Sequence, residues 1–84
     1  MLIEIYCGEK LYARLDMDFA AKKMNVLAGQ DRSVQFIDRI FQYADGYRFD
    51  FRTVGIYLKN RGVTQDSSPG VYENIDDDVK IVVS

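Results

Sequence analysis

Three features of this sequence hold residue types that could do chemistry. They are the lone thiol of Cys7, the acid run Asp76-Asp77-Asp78, and the segment Tyr47-Arg48-Phe49-Asp50-Phe51-Arg52. A thiol becomes a nucleophile when a neighbour activates it, and the sequence identifies no such neighbour for Cys7. A free cysteine in a β-favouring stretch reads as a small buried apolar side chain. Consecutive aspartates could offer oxygens to a divalent cation. Calcium sites, however, take six or more oxygens at defined offsets, and the glycine and closing glutamate of a helix–loop–helix site are missing. The run reads as a solvated turn. Residues 47–52 interleave aromatic and basic side chains, as single-stranded nucleic-acid binders do for stacking and phosphate contact. In a strand, Tyr47, Phe49 and Phe51 would share a face and enter the core. Arg48 and Arg52 would lie opposite with an acid between them.

The totals narrow the chemistry further. The 84 residues contain no histidine, which removes the commonest acid–base catalyst near neutral pH and a common metal ligand. With one cysteine and no histidine, catalytic triads, Cys/His dyads and ordinary zinc sites are excluded. We expect neither enzymatic activity nor a cofactor or metal. One cysteine cannot close an intramolecular disulfide, and no charged leader or membrane-length apolar run is visible. A cytoplasmic location without membrane insertion is the expectation. A net charge of −2 gives no overall footprint for a nucleic-acid backbone, so nucleic acid is disfavoured as a partner.

The elements that would position these residues form one expected domain, residues 1–84. Leu2–Cys7 favours a strand and Gly8-Glu9-Lys10 a turn. Leu11, Ala13, Leu15, Met17 and Phe19 then alternate with Tyr12, Arg14, Asp16 and Asp18, the period of a half-buried strand. Residues 20–32 admit either a short helix capped by Asp18, with Ala20, Met24, Leu27 and Ala28 on one face, or a loop with a continuing strand; the helix is favoured. Ser33 caps an expected main helix to about Asp45, with Val34, Ile37, Ile40, Phe41 and Ala44 inward and Gly46 closing it. Residues 47–58 favour strand, Asn60-Arg61-Gly62 a turn, and Val63-Thr64-Gln65 a short returning strand. A rival reading makes residues 51–61 a helix capped by Asp50 and stopped by Gly62. Gly55 in its middle weighs against that helix by about 1 kcal/mol. Asp66-Ser67-Ser68-Pro69-Gly70 is loop, Val71, Tyr72 and Ile75 return apolar side chains to the fold, and Val79–Val83 is a final strand.

This order resembles the ubiquitin-like β-grasp family. Ser33-Val34, Ile37, Phe41 and Gly46 are similar to the ubiquitin helix, its cap and its closing glycine. Ile56–Gln65 resembles the third strand, its turn and the short fourth strand, and Val79–Val83 the last strand. The resemblance implies an α+β fold with a mixed sheet of four to five strands and one main helix across one face. The chain ends on a strand pattern without a Gly-Gly tail, so conjugation and sulfur transfer are not expected. The likeness is to the tailless, non-conjugating members, such as the small component of a bacterial secretion system.

With Ile56 and Leu58 inward, Tyr57, Lys59 and Arg61 would project from the exposed side of the sheet, which is the usual docking surface in the family. Tyr12 and Arg14 could extend that patch. Tyrosine and arginine dominate interface hot spots. The expected function is a non-enzymatic module that binds another protein through the outer face of its sheet. The alternative is a small phage or mobile-element protein that inhibits a host nuclease or defence complex by direct binding. A third reading is a single-stranded nucleic-acid binder.

Overall fold

The computed structural model describes residues 1–30, 39–73 and 78–84. It is an α+β arrangement of a five-stranded antiparallel sheet, a two-stranded ribbon and one α-helix among the described residues. Leu2–Cys7 (β1), Lys10–Asp18 (β2) and Lys23–Gly29 (β3) follow one another as hairpins. Gly70–Glu73 (β6) and Val79–Val83 (β7) complete the sheet, in the order β3-β2-β1-β7-β6. Between these two groups lie a 3-10 turn at Arg39–Phe41, a short ribbon of Gln42–Tyr43 (β4) and Gly46–Tyr47 (β5), and the helix Phe51–Asn60 (α1).

The sheet departs from the resemblance in direction. The last strand lies beside the first, but β1 and β7 run antiparallel, with Ile3 opposite Val83 and Cys7 opposite Val79. The expected mixed sheet is therefore corrected to one that is antiparallel throughout its five strands.

Period-two alternation makes one face of the sheet the core. Ile3, Ile5, Ala13, Leu15, Met17, Val79, Ile81 and Val83 are all buried, while Glu4, Arg14 and Asp16 point the other way. One position breaks the alternation. Ile5 pairs with Ala13 and Tyr6 with Leu11, which leaves Tyr12 as the extra residue of a β-bulge. The bulge turns Tyr12 onto the core side, where its ring meets Phe49 edge-on and its hydroxyl hydrogen-bonds that of Tyr47.

Residues 50–61 overturn the strand reading. They form α1, bounded at both ends by local chemistry. Asp50 accepts from the Thr53 backbone N–H at 2.8 Å, and the Asp50 N–H donates to Thr53 Oγ1 at 3.1 Å, a reciprocal capping box. At the other end Gly62 sits at φ +82°; its N–H donates to Lys59 and that of Val63 to Leu58, the pattern of a Schellman cap. Val54, Tyr57 and Leu58 are buried on the inner side of the helix. Capping and burial together outweigh the cost of Gly55. Val63-Thr64-Gln65 consequently leaves the helix as loop, with Val63 buried, instead of returning as a strand.

Three other expectations are corrected. Residues 20–32 hold no helix in their described part: Asp18 caps a tight turn by accepting from the Ala21 N–H at 3.0 Å, and β3 follows directly. The expected helix from Ser33 to Asp45 does not extend through its described end. After the 3-10 turn, residues 42–47 form the ribbon, with Ala44-Asp45 as its two-residue turn and Gly46, at φ +130°, opening the return strand opposite Tyr43. Ser33, Val34 and Ile37 lie outside the described residues, as do Ile75, Asp76 and Asp77. Val71 is exposed rather than returned to the core, since it pairs with Val82 on the outer face; Tyr72 is the inward residue of β6.

The cap gives a pH-dependent prediction. The Thr53 backbone N–H, and then its side chain, hold the Asp50 carboxyl below its ordinary pKa. A depressed carboxylate contributes stability that is complete above its unfolded pKa of about 3.9 and is lost as the pH falls through the folded value. Asp50→Ala is expected to lower stability by about 1 kcal/mol at pH 7. The gap between variant and parent should close progressively below about pH 4. Urea melts across that range check both statements; a gap independent of pH would assign the loss to something other than the charged cap.

Candidate functional site

The outer stripe of α1 holds Arg52, Gly55, Ile56 and Lys59, opposite the buried Tyr57, with half-buried Phe51 at its edge beside Val54 and Leu58. Positions spaced by three and four residues share a helix face, which brings this set together. Beside the stripe stands Phe19, in the turn between β2 and β3, its ring edge-on to Phe51 at 5.6 Å between centroids. Val63, Thr64 and Gln65, leaving the Schellman cap, form the other side. These elements enclose two adjoining depressions of about 380 and 580 Å³ that share Phe19, Phe51, Arg52 and Gln65.

The floor of this groove is apolar and its charges have one sign. Phe19, Phe51, Ile56 and Val63 supply the carbon surface, and Ile56 keeps 53% of its surface exposed. Lys22, Arg52 and Lys59 line it with no acidic residue among the lining side chains. None of the three cations makes an ion pair among the described residues. The groove can hold an apolar group and attract carboxylates beside it.

Of the expected interface residues, two are removed from the surface. Tyr12 is 0% exposed, because of the bulge, and Tyr57 is 7% exposed, because α1 replaces the strand in which it would have pointed outward. Arg61 closes α1 with its guanidinium over the Tyr57 ring, 5.1 Å from the centroid. Lys59 is exposed, but on the helix groove and not on the sheet. Arg14 alone of the five stands on the outer sheet face, where its guanidinium binds Glu4 at 2.8 Å. The expected patch is thus dispersed over the core, the helix end, the groove and the outer sheet face.

The outer sheet face itself holds Leu2, Tyr6, Val71 and Val82, which are exposed or half-buried. Two of its cations are engaged internally, Arg14 with Glu4 and Lys80 against the ring of Tyr6. The aromatic and basic segment 47–52 is not a single strand. Tyr47 and Phe49 pack against the core, Arg48 binds Asp45 and lies over Tyr43, Asp50 caps α1, and Arg52 joins the groove. Cys7 is half-buried against the core, opposite Val79 at the end of β1. No group of three potential metal ligands occurs among the described residues, and no described helix is long and apolar enough to cross a membrane.

Comparison with protein-family models, curated proteins and solved structures finds no match to this chain. The functional reading rests on the site alone.

The groove residues escaped sequence reasoning because three separate segments assemble them. One signal was visible: Arg52, Gly55, Ile56 and Lys59 form a stripe only on a helix, and the Asp50 cap and Gly62 stop mark that helix.

Proposed function

We propose that the protein is a non-enzymatic module that binds a segment of another protein in the groove beside α1. The observation that carries this reading is an apolar floor with exposed Ile56, rimmed by three cations that have no internal ion-pair partners among the described residues. In a chain of net charge −2, such a local excess of positive charge favours an acidic ligand surface. The outer sheet face is the second reading. Its exposed Val71 and Leu2 favour it, but the Arg14–Glu4 pair already consumes its strongest interface residue. Of the β-grasp resemblance only the α+β class carries over: Ile56–Gln65, read as its third and fourth strands, is helix and loop, and the last strand runs antiparallel to the first.

A photo-reactive amino acid at position 56, compared with one at position 71, tests the proposal in the native cell. A discrete protein adduct from position 56, lost when the groove is filled, is the expected result. Adducts only from position 71 would transfer the site to the sheet, and none from either would refute protein binding. The identity of the adduct separates the two proposed settings: secretion-system subunits for one, a host nuclease or defence complex for the other.

A further inference from the structure

Gly55 occupies the middle of the ten-residue helix α1, where glycine is less stable than alanine by about 1 kcal/mol. Nothing among the described residues requires it. Its φ is not positive, and a Cβ built there meets no atom within 4 Å. The side of the helix it leaves bare is the floor of the groove. Arg52 and Lys59 stand one turn on either side, seven residues and about 10 Å apart along the axis.

We infer that Gly55 is the point of closest approach for an acidic amphipathic helix of a partner protein, with partner carboxylates on Arg52 and Lys59 and an apolar side chain on the bare glycine between them. This rests on the groove being the binding site. The charge of the rim selects an acidic partner over a neutral or basic one. The wall selects a helix. The backbone of α1 has spent its hydrogen bonds internally, so an extended segment laid on this apolar floor would leave its own N–H and C=O groups unpaired, whereas a helix satisfies them itself. A ligand helix meets Arg52 and Lys59 with two acids seven residues apart, since both helices rise 1.5 Å per residue.

The test uses the full chain, isotope-labelled, and three synthetic peptides. The first is a helix with leucines at i, i+3 and i+4 and glutamates seven apart; the second carries lysine for each glutamate; the third repeats the acidic composition with a central proline. The acidic helix is expected to shift the amide resonances of Arg52, Gly55, Ile56, Lys59 and Phe19. Its affinity should fall several-fold between low and high salt, as screening of exposed charges demands. Gly55→Ala should raise Tm by about 4 °C, the helix-propensity gain read as a melting shift. Gly55→Leu should remain folded and weaken binding tenfold or more, and Arg52→Glu with Lys59→Glu should do the same at low salt. A fall in Tm for Gly55→Ala would assign the glycine a structural purpose and overturn the inference. So would an acidic helix that gives no shifts at millimolar concentration. Equal binding of the basic or the proline-broken peptide in the groove would overturn the acidic helix as occupant and leave groove binding standing. Shifts confined to Leu2, Tyr6 and Val82 would overturn both.

Discussion

Phe41→Ala is expected to destabilise the protein by about 3–5 kcal/mol, through lost burial and the cavity left behind. Phe41 is 1% exposed and is the hub of the aromatic cluster that joins the ribbon to the helix. Its ring meets Phe49 at 4.8 Å, Tyr57 at 5.4 Å and Tyr47 at 6.5 Å between centroids, all edge-on. Edge-on pairs contribute about 0.5–1.5 kcal/mol beyond simple burial, so truncation removes more than carbon area. Its carbonyl also accepts the Arg48 N–H at 2.8 Å, closing the open end of the ribbon. A domain of this length has a total stability of about 4–12 kcal/mol. The variant should therefore lie near the edge of folding, with Phe41→Leu losing distinctly less. Urea denaturation of both variants checks this. A loss under about 1 kcal/mol for alanine would mean that Phe49 and Tyr47 close the gap unaided.

The parts of this fold that were legible are those in which one physical rule acts alone. The alternation from Ala13 to Met17 against Ile3 and Ile5 needs only a pleated strand with one wet face, and it is present as read. The β-branched run Val79–Val83 is likewise a strand. Tyr12 was misread because the bulge depends on how β1 pairs with β2, information that β2 does not carry by itself. Residues 51–60 were misread because two local rules conflict. Gly55 and the β-branched neighbours argue against a helix, while the Asp50/Thr53 box, Gly62 and the spacing of Val54, Tyr57 and Leu58 argue for it. The error then propagated to the site. A period of two sends Tyr57 outward and Ile56 inward, and the helical period of 3.6 reverses both. Gly55, which seemed the strongest objection to the helix, is the residue whose presence on the helix most needs an explanation. The groove as a whole was beyond sequence reasoning, since Phe19 and Lys22 reach it from a turn some thirty residues before α1.

Gly29→Ala is the second large effect expected, about 2–4 kcal/mol, and it tests the bulge that hides Tyr12. Gly29 ends β3 at φ +97°, a conformation that costs an L-residue about 1–2 kcal/mol. Space is a separate and larger obstacle. A Cβ built on Gly29 collides with the Tyr12 carbonyl oxygen and lies 2.7 Å from the Ala13 Cα, both of them backbone. No side-chain rotation relieves that contact, so either β3 separates from β2 or the bulge at Tyr12 moves. Gly46→Ala provides the control: at φ +130° it carries the dihedral cost, and nothing lies within 4 Å of its added Cβ. The difference between the two losses, measured by denaturant melts, isolates the collision. We expect Gly29→Ala to exceed Gly46→Ala by about 1 kcal/mol or more, the usual scale of an overpacking penalty. Near-UV circular dichroism of the folded variant should also lose intensity, because displacing the bulge loosens Tyr12 from Phe49 and Tyr47. Equal losses at the two glycines would show that β3 yields freely there and that the buried position of Tyr12 is held from the helix side alone.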